Sequence, residues 1–284
     1  MQSFDYHRPT TLAEALRLKR EAPGARFIAG GTDLMVRLRE GRATPPALIS
    51  LRGVGELSLI DLGAPIRIGA ATPISEILEH VGLREVHPVL ARAARTLGSV
   101  QVRNAATVGG NLCNASPCAD MAPPLLVHDA RVRLESTDGA REMSLEEFFV
   151  APGETRVSEG ELLTEIRFEP PPGGARATFL KKGRVRMDIA LASVSVLLHV
   201  SDGRCRHVRV AAGSVGPRPM RLHRVEALLA DQEPSDELLE QARQVAREEV
   251  QPISDVRASA DYRRHIVGVF VGRALTALRD GREP

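Results

Sequence analysis

Tryptophan is absent from the 284 residues, and aromatic residues of any kind make up only 3%. Single-stranded nucleic acids are held by stacking on aromatic rings, so this chain is a poor candidate for that class of partner. Net charge is almost absent as well. Lys plus Arg number 38 against 36 Asp plus Glu, which leaves +2. Such a balance supplies neither the basic field of a nucleic-acid binder nor a polybasic membrane patch. No run of 18 apolar residues occurs, so a transmembrane helix and membrane insertion are excluded. The opening MQSFDYHRPT shows no basic start followed by an apolar stretch, so no Sec-type leader is visible. Cysteine is scarce and odd in number: Cys113, Cys118 and Cys205. That points to a reducing, cytoplasmic setting rather than a disulfide scaffold. Three thiols also fall short of the four that a plant-type iron–sulfur site needs, so Cys113 and Cys118 read as structural or incidental. The scattered histidines lack zinc spacing, and no metal site is expected. Lysine is rarest among the cations, with 3 against 35 Arg. Its scarcity draws attention to the adjacent Lys181 and Lys182.

The remainder is ordinary for a globular protein, with 43% hydrophobic and 26% charged residues. Length suggests about two domains. The pattern predicts a first helix capped by the Thr11/Glu14 box and stopped at Pro23-Gly24, then a strand at Arg26–Ala29 and a helix over Thr32–Arg39. Short β segments are expected at Ala47–Leu51, Leu57–Asp61 and Ile66–Gly69. Thr72 is expected to cap a helix with Pro73 in its first turn, and His87–Leu97 reads as another helix. Residues 98–124 have no regular period and are dense in Gly, Asn, Ser and Pro, which marks a functional segment. Strands follow at Arg131–Ser136 and Leu163–Phe168, with a Ser144/Glu147 capping box between them. Glu169–Gly174 is the linker candidate, placing a boundary near residue 173. Beyond it, Ala192–Val200 and His207–Ala212 alternate like antiparallel strands. Helices are expected from Asp236 to about Val250 and from Ser259 to about Leu278, the latter with Tyr262 in the core.

Two segments carry paired glycines beside Thr or Asn: Ala29-Gly30-Gly31-Thr32-Asp33-Leu34 and Thr107-Val108-Gly109-Gly110-Asn111. Glycine permits positive φ and close approach of a ligand to the main chain. Consecutive N–H groups in such a turn form an anion-binding nest, and the first segment enters a helix, where unpaired N–H groups favour phosphate. Two such loops are expected to clasp a pyrophosphate from both sides, helped by hydroxyls of Thr32, Thr107 and Ser116. The bland alternative is that each pair is merely a turn. A Rossmann site is disfavoured, because Gly53-Val54-Gly55 has Ser58 where the third glycine belongs, and no Walker P-loop occurs.

These two motifs, with Ala115-Ser116-Pro117-Cys118-Ala119-Asp120, resemble the FAD-binding medium subunit of the molybdenum hydroxylases, the family of xanthine dehydrogenase and aerobic carbon monoxide dehydrogenase. The resemblance extends to Phe4–Pro9, to Lys181–Ala190 and to Asp261–Arg264, essentially the whole chain. It implies an α+β protein. A bipartite FAD-binding domain of the PCMH/vanillyl-alcohol-oxidase type would span 1–173, in two lobes of roughly 1–55 and 56–173. A smaller α+β domain, an antiparallel sheet with helices, would span 174–284. It further implies non-covalent FAD. Ile28, Ala29, Gly30, Gly31, Thr32, Asp33 and Leu34 would cradle the pyrophosphate, and Thr107, Gly110 and Asn111 would line its other side. Ser116 would add a hydroxyl, and Asp120 would bond a hydroxyl or the adenosine end. Leu162 or Leu163 would touch the adenine or ring region. Lys181, or its neighbour Lys182, would sit near the isoalloxazine, and Leu97 stands where some relatives carry an aromatic residue.

The family's partners would be a molybdopterin-binding large subunit and a small subunit with 2Fe-2S clusters, in a heterotrimer. Electrons would pass from those clusters through FAD to an acceptor, with NAD+ a candidate. No catalytic residue is assigned on this chain. The alternative is a stand-alone flavoprotein reductase or oxidase of the same FAD-binding fold. Arg184, Arg186, Asp188, Arg263 and Arg264 read as interface charges or, more plainly, as solvated surface and local ion pairs.

Overall fold

The computed structural model describes residues 3–282. It opens on a small parallel sheet: β1 (Asp5–His7), α1 (Leu12–Glu21), β2 (Arg26–Ile28), α2 (Leu34–Arg39) and β3 (Ala47–Ser50). Strand β3 lies between β1 and β2, parallel to both, and all four of its residues are buried. Helix α1 starts where Thr11 Oγ1 accepts the Glu14 N–H at 3.2 Å. The return bond of the expected box falls one residue early, from Thr10 N–H to Glu14 Oε2 at 3.0 Å. Ala15, Leu16, Ile49 and Leu51 form the core of this lobe.

Next comes a five-stranded antiparallel sheet in the order β4-β5-β10-β6-β7. The segment that builds it runs through β4 (Ile60–Asp61), β5 (Ile66–Gly69), α3 (Ile74–Glu79), α4 (Val81–Val86), α5 (Pro88–Thr96), α6 (Val100–Ala105), α7 (Val108–Cys113), α8 (Ala122–Leu126), β6 (Arg131–Ser136), β7 (Gly139–Ser144), α9 (Leu145–Phe148), β8 (Phe149–Ala151), β9 (Glu154–Thr155) and β10 (Leu162–Phe168), with β8 and β9 paired as a separate two-stranded ribbon. One face carries the apolar core, with Ile74, Leu90, Val108, Leu112 and Leu125 packed against Val132, Leu134 and Ile166. The other face is polar, a ladder in which Arg67 pairs with Glu165 at 2.7 Å and Arg167 with Glu142 at 2.8 Å.

Several expectations are corrected here. The single strand Leu57–Asp61 is instead a 3-10 turn at Gly55–Leu57 followed by the two residues of β4. Leu57 is buried, and its carbonyl accepts the Ala71 N–H, which turns the chain at that point. Thr72 does not cap α3. It is fully buried and its hydroxyl donates to the Leu59 carbonyl at 3.1 Å, leaving Pro73 at the cap. Residues 98–124 are not irregular throughout, since α6, α7 and the start of α8 fall within them. Helices of five or six residues are too short to register as a period.

The last sheet is antiparallel, in the order β11-β12-β13-β14, from β11 (Arg176–Lys182), β12 (Ala192–Ser201), β13 (Arg204–Gly213) and β14 (Met220–Arg221). Helices α10 (His223–Leu229), α11 (Asp236–Glu249) and α12 (Ala260–Arg279) cover it, burying Val194, Val210, Val271 and Leu275. The architecture is thus α+β, as expected. Ser235 and Ser259 cap α11 and α12 through the N–H groups of Leu238 and Tyr262, each at 3.2 Å. Tyr262 is 40% exposed rather than core. Arg263 is buried rather than solvated. It donates to the carbonyls of Leu191 and Ser214 and pairs with Asp255 at 2.9 Å. Among the described residues no helix is long and apolar enough to cross a membrane.

Candidate functional site

A cleft of about 610 Å³ runs between the parallel sheet, the α5–α7 region and the 155–163 segment. That volume lies within the ~300–1,000 Å³ usual for small-molecule sites. Ile28, Ala29, Gly30, Gly31, Thr32, Asp33 and Leu34 line one wall, and Thr107, Gly110 and Asn111 line the facing wall. Leu97, Leu162 and Leu163 contribute apolar surface.

The two glycine loops differ in what they offer. In the first, the backbone N–H groups of Gly30 to Leu34 have no acceptor among the described residues. Five consecutive unpartnered donors on residues that line the cleft make a nest suited to an anion. The second loop is not a nest, which corrects that expectation. Val108 and Gly109 donate to the carbonyls of Thr72 and Ala70, at 3.1 and 2.8 Å, and Asn111 donates to the Thr107 carbonyl. Gly110 donates to Thr107 Oγ1 at 3.1 Å. This segment is clamped along residues 70–74, so it offers side chains rather than backbone. Asn111 Oδ1 accepts the Met121 N–H at 3.2 Å, which turns its amide group toward the site's own loop.

Each glycine has its own physical reason. Gly31 stands at φ +73°, a region costly for other residues. A Cβ on Gly30 would stand 1.9 Å from the Ala105 carbonyl oxygen, so the two walls of the cleft meet at that point. A Cβ on Gly109 would stand 2.6 Å from Ala70. On Gly110 it would meet only Thr107 Oγ1, at 3.0 Å, and otherwise open space. Only Gly110 leaves room that a bound molecule would occupy.

Asn114 ties the loops together. Its amide donates to Asp33 Oδ1 at 3.2 Å, and its oxygen accepts from Arg37 at 2.5 Å. At one end Lys19 pairs with Glu159 and donates to the Ala25 carbonyl at 2.7 Å. Asn114, Arg37, Lys19, Arg26, Phe27, Cys113 and the 155–161 segment were not foreseen as cleft residues. No sequence motif marks them; they arrive through the packing of distant segments. Cys113 lines the cleft and is exposed to solvent through it; the crowding of neighbouring protein atoms pushes its thiol upward.

Ser116, Asp120 and Lys181 do not line the cleft. Ser116 Oγ accepts the Cys118 N–H at 3.2 Å. Lys181 Nζ pairs with Asp120 Oδ2 at 2.6 Å and donates to the Thr96 carbonyl at 3.0 Å, directly before the cleft residue Leu97. Both side chains are over nine-tenths buried. Lys182 is exposed. Burial pushes the Asp120 carboxyl up to about 6, against the pull of the Lys181 ammonium. Asp120 Oδ1 is buried with no hydrogen-bond partner. A buried acceptor of this kind calls for a donor.

The model of the FAD binding domain in molybdopterin dehydrogenase matches residues 2–171, and that of the CO dehydrogenase flavoprotein C-terminal domain matches residues 177–278. The chain belongs to the FAD-binding medium subunits of the molybdenum hydroxylase family. As a medium subunit it is 30% identical over 275 residues to the xanthine dehydrogenase FAD-binding subunit of Escherichia coli O157:H7, covering 95% of this chain and 94% of that one. It is 30% identical to the carbon monoxide dehydrogenase medium chain of Afipia carboxidovorans, covering 96% of each. In structure it matches a chain of carbon monoxide dehydrogenase from Hydrogenophaga pseudoflava with a TM-score of 0.95, at 30% identity and 99% coverage of both. The relatives are dehydrogenase components, so this medium subunit is part of an oxidoreductase. FAD is its cofactor. The nest at Gly30–Leu34 and the open space at Gly110 suit such a molecule.

Proposed function

We propose that this subunit holds FAD in the cleft and relays electrons within a molybdenum hydroxylase complex. The observation that carries this reading is the row of five unpaired N–H groups on Gly30 to Leu34, all residues that line the cleft. They would hold the diphosphate with fixed dipoles that need no reorganisation. The Thr107 hydroxyl and the Asn111 amide would bond from the opposite wall. Leu97, Val102 and Leu163 would exclude water from the ring system. Lys181 would hold the Asp120 carboxylate behind Thr96, next to the cleft residue Leu97. When bound, FAD accepts electrons singly and releases them as a pair.

The chain has three cysteines, too few for an iron–sulfur cluster of plant type. Electrons would therefore come from 2Fe-2S clusters on a small partner subunit, which receives them from a molybdopterin-binding large subunit. They would leave to an acceptor such as NAD+, with the whole assembly in the cytoplasm. The test is purification from the native host. The expected result is a yellow chain with one FAD that elutes together with a molybdopterin subunit and a cysteine-rich subunit. A chain that elutes alone and turns over a small substrate would instead support a stand-alone flavoprotein.

A further inference from the structure

Two histidines take no part in the cleft. His87 sits at the junction of α4 and α5, and His128 follows α8. Both are buried, at 3% and 7% exposure. Their rings meet edge to face at 4.9 Å. Phe168, the last residue of β10, stacks on His128 at 5.0 Å and stands edge-on to His87 at 5.2 Å. His87 Nδ1 and both ring nitrogens of His128 have no hydrogen-bond partner. The surrounding core joins Phe168 and Val127 to Phe179, Leu197 and Ala211 of the last sheet.

We propose that the His87–His128 pair is an acid-sensitive latch on the seam between the five-stranded sheet with its helices and the last sheet. Two imidazolium rings cannot share this site, because each would be a buried cation without an acceptor, beside another cation. Protonation therefore requires the seam to open. Burial is the main cause holding both rings neutral, bringing His87 down to about 4 and His128 to about 3. The groups facing His128 are His87, on the same side of the seam, His207 on β13 across it, and its own neighbour Asp129. Both histidines oppose its charging. Asp129 favours it, but that carboxylate is committed to Arg209, at 2.8 Å, and to Arg221. Opening reaches the cleft through α5, which begins directly after His87 and ends at Thr96, where the carbonyl holds Lys181.

The sign follows from linkage. The folded-state values lie below the ~6.5 of a free histidine, so this contribution is complete above pH 6.5 and is lost as pH falls toward the folded values. Each pH unit in that window multiplies the opening equilibrium by about tenfold per ring, or about a hundredfold for the two.

The test uses the full chain without flavin, so that its outcome is independent of the redox reading. Urea midpoints are measured from pH 7 to pH 5 for the wild type and for a His87→Leu/His128→Leu double variant. The wild type is expected to lose stability with up to two more protons taken up than the variant. Equal pH slopes would overturn the latch. In case the double variant does not fold, the wild type is read directly by hydrogen–deuterium exchange at the imidazole C2 positions. Neither ring should titrate above pH 5, and a transition near 6.5 at either one would overturn the proposal.

Discussion

Replacing Gly110 by alanine should separate binding from folding. Gly110 is the third residue of α7, and a Cβ there meets only Thr107 Oγ1, at 3.0 Å. The hydroxyl must yield by a few tenths of an ångström at most. Alanine is favoured over glycine within a helix by roughly 1 kcal/mol, less near an end. The flavin-free variant should thus be as stable as the wild type, or more stable by up to about 1 kcal/mol. Its methyl group, however, stands in the space that the diphosphate is expected to occupy. If the ligand is displaced far enough to lose one charge-assisted hydrogen bond, worth about 1.5–3 kcal/mol, affinity falls by one to two orders of magnitude. Urea denaturation of the flavin-free forms measures the first quantity, and quenching of flavin fluorescence on binding measures the second. Wild-type affinity for FAD in Gly110→Ala would refute the reasoning. So would a loss of more than about 2 kcal/mol in the flavin-free form, since the methyl would then be striking protein rather than entering the cleft.

Gly109→Ala should behave in the opposite way, losing about 1–3 kcal/mol without flavin because its Cβ would stand 2.6 Å from Ala70, as read from the same denaturation curves. Lys181→Met leaves Asp120 buried without its partner, and urea midpoints should show a loss of about 3–5 kcal/mol at pH 8. That loss should shrink toward acid, because Asp120, already raised by burial and no longer pulled down by Lys181, takes up its proton in the folded variant as pH falls. Adding Asp120→Asn to Lys181→Met should recover much of the stability at pH 8. Alkylation of Cys113, followed by mass spectrometry of its peptide, should proceed in the flavin-free chain, where the thiol is exposed in the cleft, and should slow when FAD is bound; an unchanged rate would place the cofactor elsewhere.

Much of the molecule was legible where one segment carries its own signal. Thr11, Ser144, Ser235 and Ser259 mark helix starts because a cap is a contact within three residues. The first glycine loop was legible for the same reason, since positive φ at Gly31 is a property of the chain itself. The second loop misled because the state of its N–H groups is set elsewhere. Ala70 and Thr72, some forty residues earlier in the chain, consume two of them. A side chain at Gly30 or Gly109 would strike protein, and only their neighbours in space reveal it. Tyr262 and Arg263 exchanged their expected places on α12, one exposed and one buried, because the carbonyls of Leu191 and Ser214 lie under that turn. Asn114, which ties the cleft walls through Asp33 and Arg37, belongs to no motif at all.

A crystal structure of the subunit with FAD tests the central claim most directly. The account predicts diphosphate oxygens within about 2.7–3.2 Å of N–H groups from the Gly30–Leu34 row, with the ring system toward Leu97. A diphosphate seated elsewhere, with those five groups left facing water, would contradict it.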